Sequence, residues 1–277
     1  MLLLWVFLWL ISVILVFSDP KNTIIRWSAA IAFFSGCGGL AVTLRERIRF
    51  LVSETNHSSI FAEHTMDWFA DLCSSLAHYV SPFCLLIFSL LYTERIKGSN
   101  QKKWTIITIL FMPVLMMYII SPKVVEADFT VLTGWVALYV VLSNFLLIND
   151  AFIEKQTVLK RQRILTCLII CPTTLFSLMT NYVFISLGFV KTWEHNAWMI
   201  SIGFIGFLYF WIRYGFLGIQ LRFEKQRLDV AIQAATSGTA LLNHTIKNEA
   251  GKIHILADRI TYNMTESTCS IENDIDL

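Results

Sequence analysis

The chain contains 277 residues, of which 56% are hydrophobic, 14% aromatic and only 15% charged. Together with a mean hydropathy of +0.61, this composition excludes a soluble globular domain and indicates a polytopic membrane protein. A formal net charge of +2 at pH 7 is too small to predict nucleic acid as a partner.

Several apolar stretches are long enough to be interpreted as membrane spans, since a helix needs about 20 residues to cross about 30 Å of hydrocarbon. The first is the shortest, but no basic residue precedes it and no clear small-residue cleavage site follows it, so we interpret it as a retained span. The stretches are approximately residues 2–17, 24–44, 72–92, 104–120, 129–148, 164–187 and 197–219. We therefore predict an all-α bundle of about seven transmembrane helices in a lipid bilayer.

Basic residues between the spans predict the orientation of the bundle, because loops rich in lysine and arginine stay in the cytoplasm. The basic loops lie between spans three and four, between spans five and six, and after span seven. The basic residues of these loops are Arg95, Lys97, Lys102, Lys103, Lys155, Lys160, Arg161, Arg163, Arg222, Lys225 and Arg227. We expect a multi-pass protein of the cell membrane with its N-terminus outside and its C-terminus in the cytoplasm. The exception is Arg45, Arg47 and Arg49, which this orientation places outside.

The segment before the third span carries acidic residues and histidines on one helical face. His64, Asp67 and Asp71 follow at spacings of three and four, and imidazole and carboxylate groups are ligands for divalent metals. No second histidine lies at ligand spacing, so we predict no metal site and interpret the segment as the wet face of an interfacial helix.

Three polar residues lie within predicted spans, where contact with lipid is unfavourable. His78, Asn144 and Asn181 should therefore face the interior of the bundle. We predict them as candidates for a ligand pocket or a switching element. Ordinary hydrogen bonds between helices are an equally good explanation.

After the last span the apolar residues follow a heptad pattern, which is typical of a helix that pairs with a second helix. One row contains Leu221, Leu228, Ala235 and Leu242, and the other contains Ile232, Thr239, Ile246, Ile253 and Ile260. We expect a homodimer through this cytoplasmic helix. His244 falls outside the two rows and Asn248 lies one turn further on, so both should face solvent.

The residues around His244 carry a resemblance to a known family. His-Thr-Ile-Lys-Asn, followed by apolar residues at helical spacing, resembles the phosphoacceptor box of bacterial membrane sensor histidine kinases in its His-x-x-Lys-Asn form. The resemblance implies that His244 is phosphorylated, with Lys247 and Asn248 beside it near the ATP phosphates. Many such kinases place an acidic residue directly after the histidine, where this chain has Thr245. The next carboxylate, Glu249, continues the first of the two apolar rows, which together form the pairing face that we call the heptad seam.

This resemblance divides the chain into a transmembrane sensor domain (1–219), a coiled-coil signalling linker (220–236) and an incomplete histidine-phosphoacceptor domain (237–277). The kinases also contain an ATP-binding domain with glycine-rich loops, whereas the segment after the last span has only Gly238 and Gly251. We therefore expect no cofactor in this chain, with ATP and magnesium bound by a separate or missing kinase domain that acts in trans. The expected partner downstream is a response regulator.

Two other functional classes remain compatible with the sequence. A non-enzymatic seven-span receptor or adaptor would keep the dimerising helix without needing His244. A small transporter or membrane-bound enzyme would be favoured by an inverted repeat with paired broken helices, and we find no convincing internal repeat.

Overall fold

A computed structural model describes residues 2–54, 60–96, 100–189, 192–214, 239 and 242–261. Every regular element of these residues is helical, as the sequence predicts. The chain divides into two compact units, Met1–Gln220 and Leu221–Leu277. The predicted linker at 220–236 lies outside the described residues.

The first unit contains nine α-helices among its described residues. They are α1 (Leu2–Ser18), α2 (Thr23–Glu54), α3 (Ile60–Ser75), α4 (Ser81–Tyr92), α5 (Asn100–Ile120), α6 (Phe129–Ile153), α7 (Thr157–Leu178), α8 (Phe184–Ser186) and α9 (Asn196–Tyr214). A π-helical turn, Leu76–Val80, joins α3 to α4, and a second, Met179–Val183, joins α7 to α8. Short 3₁₀ turns, Val124–Glu126 and Thr192–His195, precede α6 and α9.

Five helical segments of the described residues are long and apolar enough to cross a membrane: Thr23–Arg47, His64–Tyr92, Gln101–Ile120, Phe129–Ile153 and Thr157–Ser186. The predicted first and last spans coincide with shorter apolar helices, Leu3–Ser18 and Asn196–Phe210. The predicted all-helical fold is thus confirmed for the described residues, and its five long apolar helices are consistent with a membrane bundle. The count of seven spans stays a prediction. The segment predicted as an interfacial helix is α3, whose residues from His64 onward belong to one of the five apolar segments.

The core of the bundle is centred on α4, which is buried from Pro82 through Ser89. Helices α2 and α6 pack on either side of it. By contrast, α5 lies at the periphery and leaves large apolar side chains exposed, including Ile109, Met112 and Ile119. Such an apolar outer surface suits contact with lipid chains.

Helices α1 and α2 approach each other closely through glycines. A Cβ atom at Gly36 would lie 2.5 Å from Cδ1 of Trp9, and one at Gly39 would lie 2.7 Å from Cδ2 of Leu4. Small residues at helix contacts let the backbones approach, which is common in membrane bundles. The Trp9 indole occupies the space above Gly36, where its Nε1 donates a hydrogen bond to the Phe33 carbonyl at 3.2 Å.

The second unit is described as one helix, residues 242–261, which we call the C-terminal helix. Its side chains are all exposed. The exposed residues include the seam positions Leu242, Ile246, Ile253 and Ile260.

Candidate functional site

The two π-helical turns meet in the interior of the bundle. In a regular α-helix the backbone N–H of residue 82 would donate a hydrogen bond to the His78 carbonyl. Pro82 has no N–H, so this bond is absent. The hydroxyl of Tyr182, in the second π turn, donates to this carbonyl at 3.1 Å. The His78 and Tyr182 rings also make an edge-to-face contact with centroids 5.6 Å apart. Because π turns recur at functional sites, this junction is a candidate site on structural grounds.

A chain of hydrogen bonds connects the second π turn to the beginning of α9. The Thr180 hydroxyl donates to Oδ1 of Asn196 at 2.7 Å, and Nδ2 of Asn196 donates to Oδ1 of Asn181 at 2.7 Å. Nδ2 of Asn181 then donates to the Ser177 hydroxyl at 2.9 Å. The Thr192 hydroxyl donates to the Thr180 carbonyl at 2.6 Å. The segment around Asn181 is therefore tied to the helix that leads toward the second unit.

The polar junction borders a cavity of about 540 Å³, which is within the usual range for small-molecule sites. The wall is mainly apolar and comes largely from α1, α2, α4, α7 and α9, with one or two residues each from α3, α6 and α8. One group of its polar residues lies at the two π turns or is hydrogen-bonded to them, namely His78, Ser177, Asn181, Tyr182 and Asn196. The cavity can therefore hold an apolar body and offer hydrogen bonds to one end of it.

Asn144 differs from the other two polar candidates because it does not line the cavity. It is 3% exposed, and its Nδ2 donates to the Val140 carbonyl at 2.8 Å. Its side chain also hydrogen-bonds with the Thr174 hydroxyl on α7 at 3.1 Å. The interhelical explanation therefore suits Asn144, whereas His78 and Asn181 share the cavity wall.

Charged residues cluster near the same end of the bundle. A guanidinium nitrogen of Arg45, which also lines the cavity, lies 2.6 Å from Oδ1 of Asp71. Nζ of Lys123 lies 3.9 Å from Oδ2 of Asp71. Two positive side chains beside Asp71 oppose the binding of a cation there. Arg45 is one of the basic residues that the predicted orientation places outside, and the ion pair provides it with a structural partner.

The opposite end of the bundle contains a second ionic cluster. Arg163 on α7 contacts Asp150 at 2.5 Å and Glu154 at 3.1 Å, which fastens the end of α6 to α7. The Gln156 backbone N–H donates to the Glu154 carboxylate at 3.0 Å and lowers its pKa, and Arg163 acts in the same direction. These residues belong to the loop predicted to be cytoplasmic.

In the C-terminal helix, His244, Lys247 and Asn248 are exposed to solvent. The side chains of His244 and Asn248 are within hydrogen-bond distance, with 3.3 Å between Nδ1 of the ring and Nδ2 of the amide. Glu249 is engaged by Lys252, whose Nζ lies 2.7 Å from Oε1. Their roles in phosphotransfer stay predictions.

Several features of the two candidate sites are not evident in the sequence. Asn196 lies next to the start of the last apolar stretch, where a polar residue is expected. Tyr182 lies within a span, where tyrosine is common, so neither residue indicates a site. A second histidine of the C-terminal helix, His254, has a carboxylate partner, since its Nδ1 lies 3.0 Å from Oδ2 of Asp258. The spacing of four residues between His254 and Asp258 is the signal that would have identified this pair.

The chain matches no protein-family model, no curated protein and no solved structure.

Proposed function

We propose that this protein is the membrane sensor of a two-component phosphorelay, which senses through its helical bundle and presents His244 for phosphorylation. The observation that carries the proposal is the solvent-exposed His244 with the Asn248 amide 3.3 Å from Nδ1, within the His-x-x-Lys-Asn sequence. A phosphoacceptor must be reachable by a kinase domain, and exposure of the whole helix meets this requirement.

The Asn248 amide provides a way to select the reactive tautomer of the ring. In the structure Nδ2 of Asn248, which can only donate, lies 3.3 Å from Nδ1, so the proton of the uncharged ring is on Nε2. In the proposed reactive state the amide is rotated by half a turn, so that its Oδ1 accepts from Nδ1–H and Nε2 has a free lone pair. Nε2 attacks the γ-phosphorus of ATP, so that a P–N bond forms and the bond to the ADP oxygen breaks. The Nδ1 proton is then released to solvent. This role for Asn248 does not require the acidic residue that Thr245 replaces.

The kinase domain acts in trans in this proposal and supplies ATP and magnesium. The phosphoryl group subsequently passes to an aspartate of a response regulator. The exposed seam residues of the C-terminal helix support a homodimer, because a row of apolar side chains in water is unfavourable until a second helix covers it.

The membrane bundle supplies the sensory half of the proposal. The cavity and the two π turns support this half, since the hydrogen-bond chain links the cavity wall to α9. A ligand that changes this chain would change the position of α9 and, through the segment after it, the pairing of the C-terminal helices. The proposed orientation, with the N-terminus outside and the C-terminus in the cytoplasm, brings His244 to the side of the membrane that contains ATP.

Phosphotransfer to the full chain tests this proposal. The purified protein in nanodiscs is mixed with labelled ATP and the ATP-binding domain of a kinase that has the same His-x-x-Lys-Asn box. We expect label on the wild type and on His254→Ala, and none on His244→Ala. Histidine 254 is a matched control because it lies on the same exposed helix. Absence of label from a folded dimer, or label that persists in His244→Ala, would favour the non-enzymatic receptor or adaptor.

A further inference from the structure

We propose that the bundle cavity binds a small amphiphile with one apolar chain and an uncharged head that both donates and accepts hydrogen bonds, such as a hydroxyl. This inference extends the proposed sensory function, and the signalling role of the ligand rests on that function. The binding itself follows from the cavity.

The apolar part of the ligand is indicated by a set of apolar side chains in the cavity wall. Leu8, Ile11 and Leu15 of α1 line it together with Ile169 of α7 and Phe207 of α9. None of these side chains can hydrogen-bond, so only an apolar group is favourable against them. A chain or ring system of small-molecule size fits a volume of about 540 Å³.

His78 determines that the head of the ligand carries a hydrogen-bond donor. Nδ1 of His78 lies 2.9 Å from the Ser74 carbonyl oxygen, which can only accept, so Nδ1 carries the proton. In the uncharged ring, Nε2 then has a lone pair and no hydrogen. The described residues provide no partner for Nε2, although His78 lines the cavity. A ligand hydroxyl or amide N–H can complete this bond.

Ser177 determines that the same head also accepts a hydrogen bond. The hydrogen-bond chain runs in one direction, from the Thr180 hydroxyl through Asn196 and Asn181 to the Ser177 oxygen. The Thr180 hydroxyl also lies 2.9 Å from the Phe176 carbonyl oxygen and shares its one hydrogen between the two acceptors. Nδ2 of Asn181 donates to the Ser177 oxygen, and the described residues show no hydrogen bond that Ser177 donates. A ligand head with one donor and one acceptor can therefore bond to both His78 and Ser177, which line the same cavity.

The charge of the head follows from the ion pair at the cavity wall. Arg45 is the charged residue among those that line the cavity, and its guanidinium lies 2.6 Å from the Asp71 carboxylate. Lys123 lies 3.9 Å from both Asp71 and Glu126, so this cluster contains two positive and two negative side chains and offers no uncompensated charge to an anionic or cationic head. We therefore assign an uncharged head.

A photoreactive twelve-carbon alcohol with a diazirine in its chain tests the inference on the full chain in phosphatidylcholine nanodiscs. We expect saturable labelling of α1 and α9, with dodecan-1-ol competing about tenfold better than dodecane, because hydrogen bonds away from water are worth about this factor. Labelling spread over the peripheral helix α5, or equal competition by the two compounds, would overturn the inference. Stronger competition by dodecanoic acid would overturn the assignment of an uncharged head.

Matched variants locate the site. Ala32→Phe fills the cavity from α2 and should abolish saturable labelling, whereas Val131→Phe adds the same ring to the exposed side of α6 and should preserve it. His78→Phe and Ser177→Ala should each remove most of the preference for the alcohol over the alkane. If His78→Phe does not fold, Ser177→Ala alone tests whether the polar residues select the alcohol. Retained labelling in Ala32→Phe, or an unchanged preference in Ser177→Ala, contradicts the assignment.

This experiment and the phosphotransfer assay fail independently. Phosphorylation of His244 without saturable labelling of the bundle would leave the proposed function and remove the ligand site. Saturable labelling without phosphorylation of His244 would leave the site and favour a receptor without phosphotransfer.

Discussion

At the scale of single residues, the candidate sites depend on hydrogen bonds that decide which ring nitrogen of a histidine carries the proton. The Ser74 carbonyl places the proton of the His78 ring on Nδ1. Nδ2 of Asn248, which can only donate, lies 3.3 Å from Nδ1 of His244 and places the proton of that uncharged ring on Nε2 instead. In both cases a histidine is defined by the partner of its Nδ1, which the identity of the histidine alone does not reveal.

Replacement of Asn248 tests its positioning role. We expect Asn248→Ala to slow phosphorylation of His244 by about tenfold, because the ring then loses a hydrogen bond worth about 1 kcal/mol and its preferred tautomer. The rate is measured as labelling of the full chain by the kinase domain in trans. Asn243→Ala, the same change beside His244, should leave the rate unaltered; equal slowing of both variants would point to a general effect on the helix.

Replacement of Tyr182 tests the link between the π turns. Tyr182→Phe removes the hydroxyl that donates to the His78 carbonyl at 3.1 Å. We expect the free energy of unfolding in mixed micelles to fall by about 1 kcal/mol, since a buried acceptor loses its partner. Tyr209 on α9 is 53% exposed, so Tyr209→Phe is the control and should change little. An unchanged stability in Tyr182→Phe would show that another donor satisfies the carbonyl.

At the scale of secondary structure elements, close helix packing and helix interruptions shape the cavity. The π turn before Pro82 is tolerated because the Tyr182 hydroxyl, from the other π turn, donates to the His78 carbonyl. Glycines on α2 bring α1 near enough for Leu4, Leu8 and the following turns to form one wall of the cavity.

Substitution at Gly36 tests the packing of α1 on α2. A Cβ atom there would lie 2.5 Å from the Trp9 ring, which is stacked on Phe33 and hydrogen-bonded to its carbonyl. We expect Gly36→Ala to lower the free energy of unfolding by about 1–3 kcal/mol, the usual cost of overpacking. Gly134 on α6 has open space where a Cβ would go, so Gly134→Ala should not destabilise. Equal stabilities of the two variants, measured by unfolding in mixed micelles, would contradict the close approach.

At the scale of the whole molecule, the two units differ in how much of their surface is buried. The first unit buries polar groups inside an apolar bundle, where their geometry is specified by neighbours. The C-terminal helix exposes both its polar face and its apolar seam, which a second copy covers in the proposed function. Signalling in this scheme is a change in the first unit that alters pairing in the second.

Disruption of the seam tests dimerisation. Ile253 belongs to the heptad seam and is 66% exposed, whereas Ile255 is 68% exposed but lies off the seam. We expect Ile253→Lys to raise the dissociation constant of the dimer at least tenfold, because burial of such a side chain is worth about 1.5–3 kcal/mol. Energy transfer between labelled chains in vesicles measures the constant. Ile255→Lys should leave it near the wild-type value; similar losses in both variants would argue against the seam.

The sequence by itself determined the helical membrane character, because long apolar stretches between polar loops can satisfy their backbone in lipid only as helices. It also indicated His78 and Asn181 as interior residues, since a polar group at membrane depth avoids lipid. Phosphorylation of His244, dimerisation and the orientation of the bundle are predictions of pattern and resemblance, and they await the experiments above.

Only the tertiary structure decided which of these residues meet. Asn144 and Asn181 are alike in the sequence, but one pairs with Thr174 and the other lies on the cavity wall beside Ser177. The contact between Tyr182 and His78 joins residues 104 positions apart. The cavity itself is lined by residues from eight of the described helices, and the distances between helices depend on contacts that local periodicity does not encode.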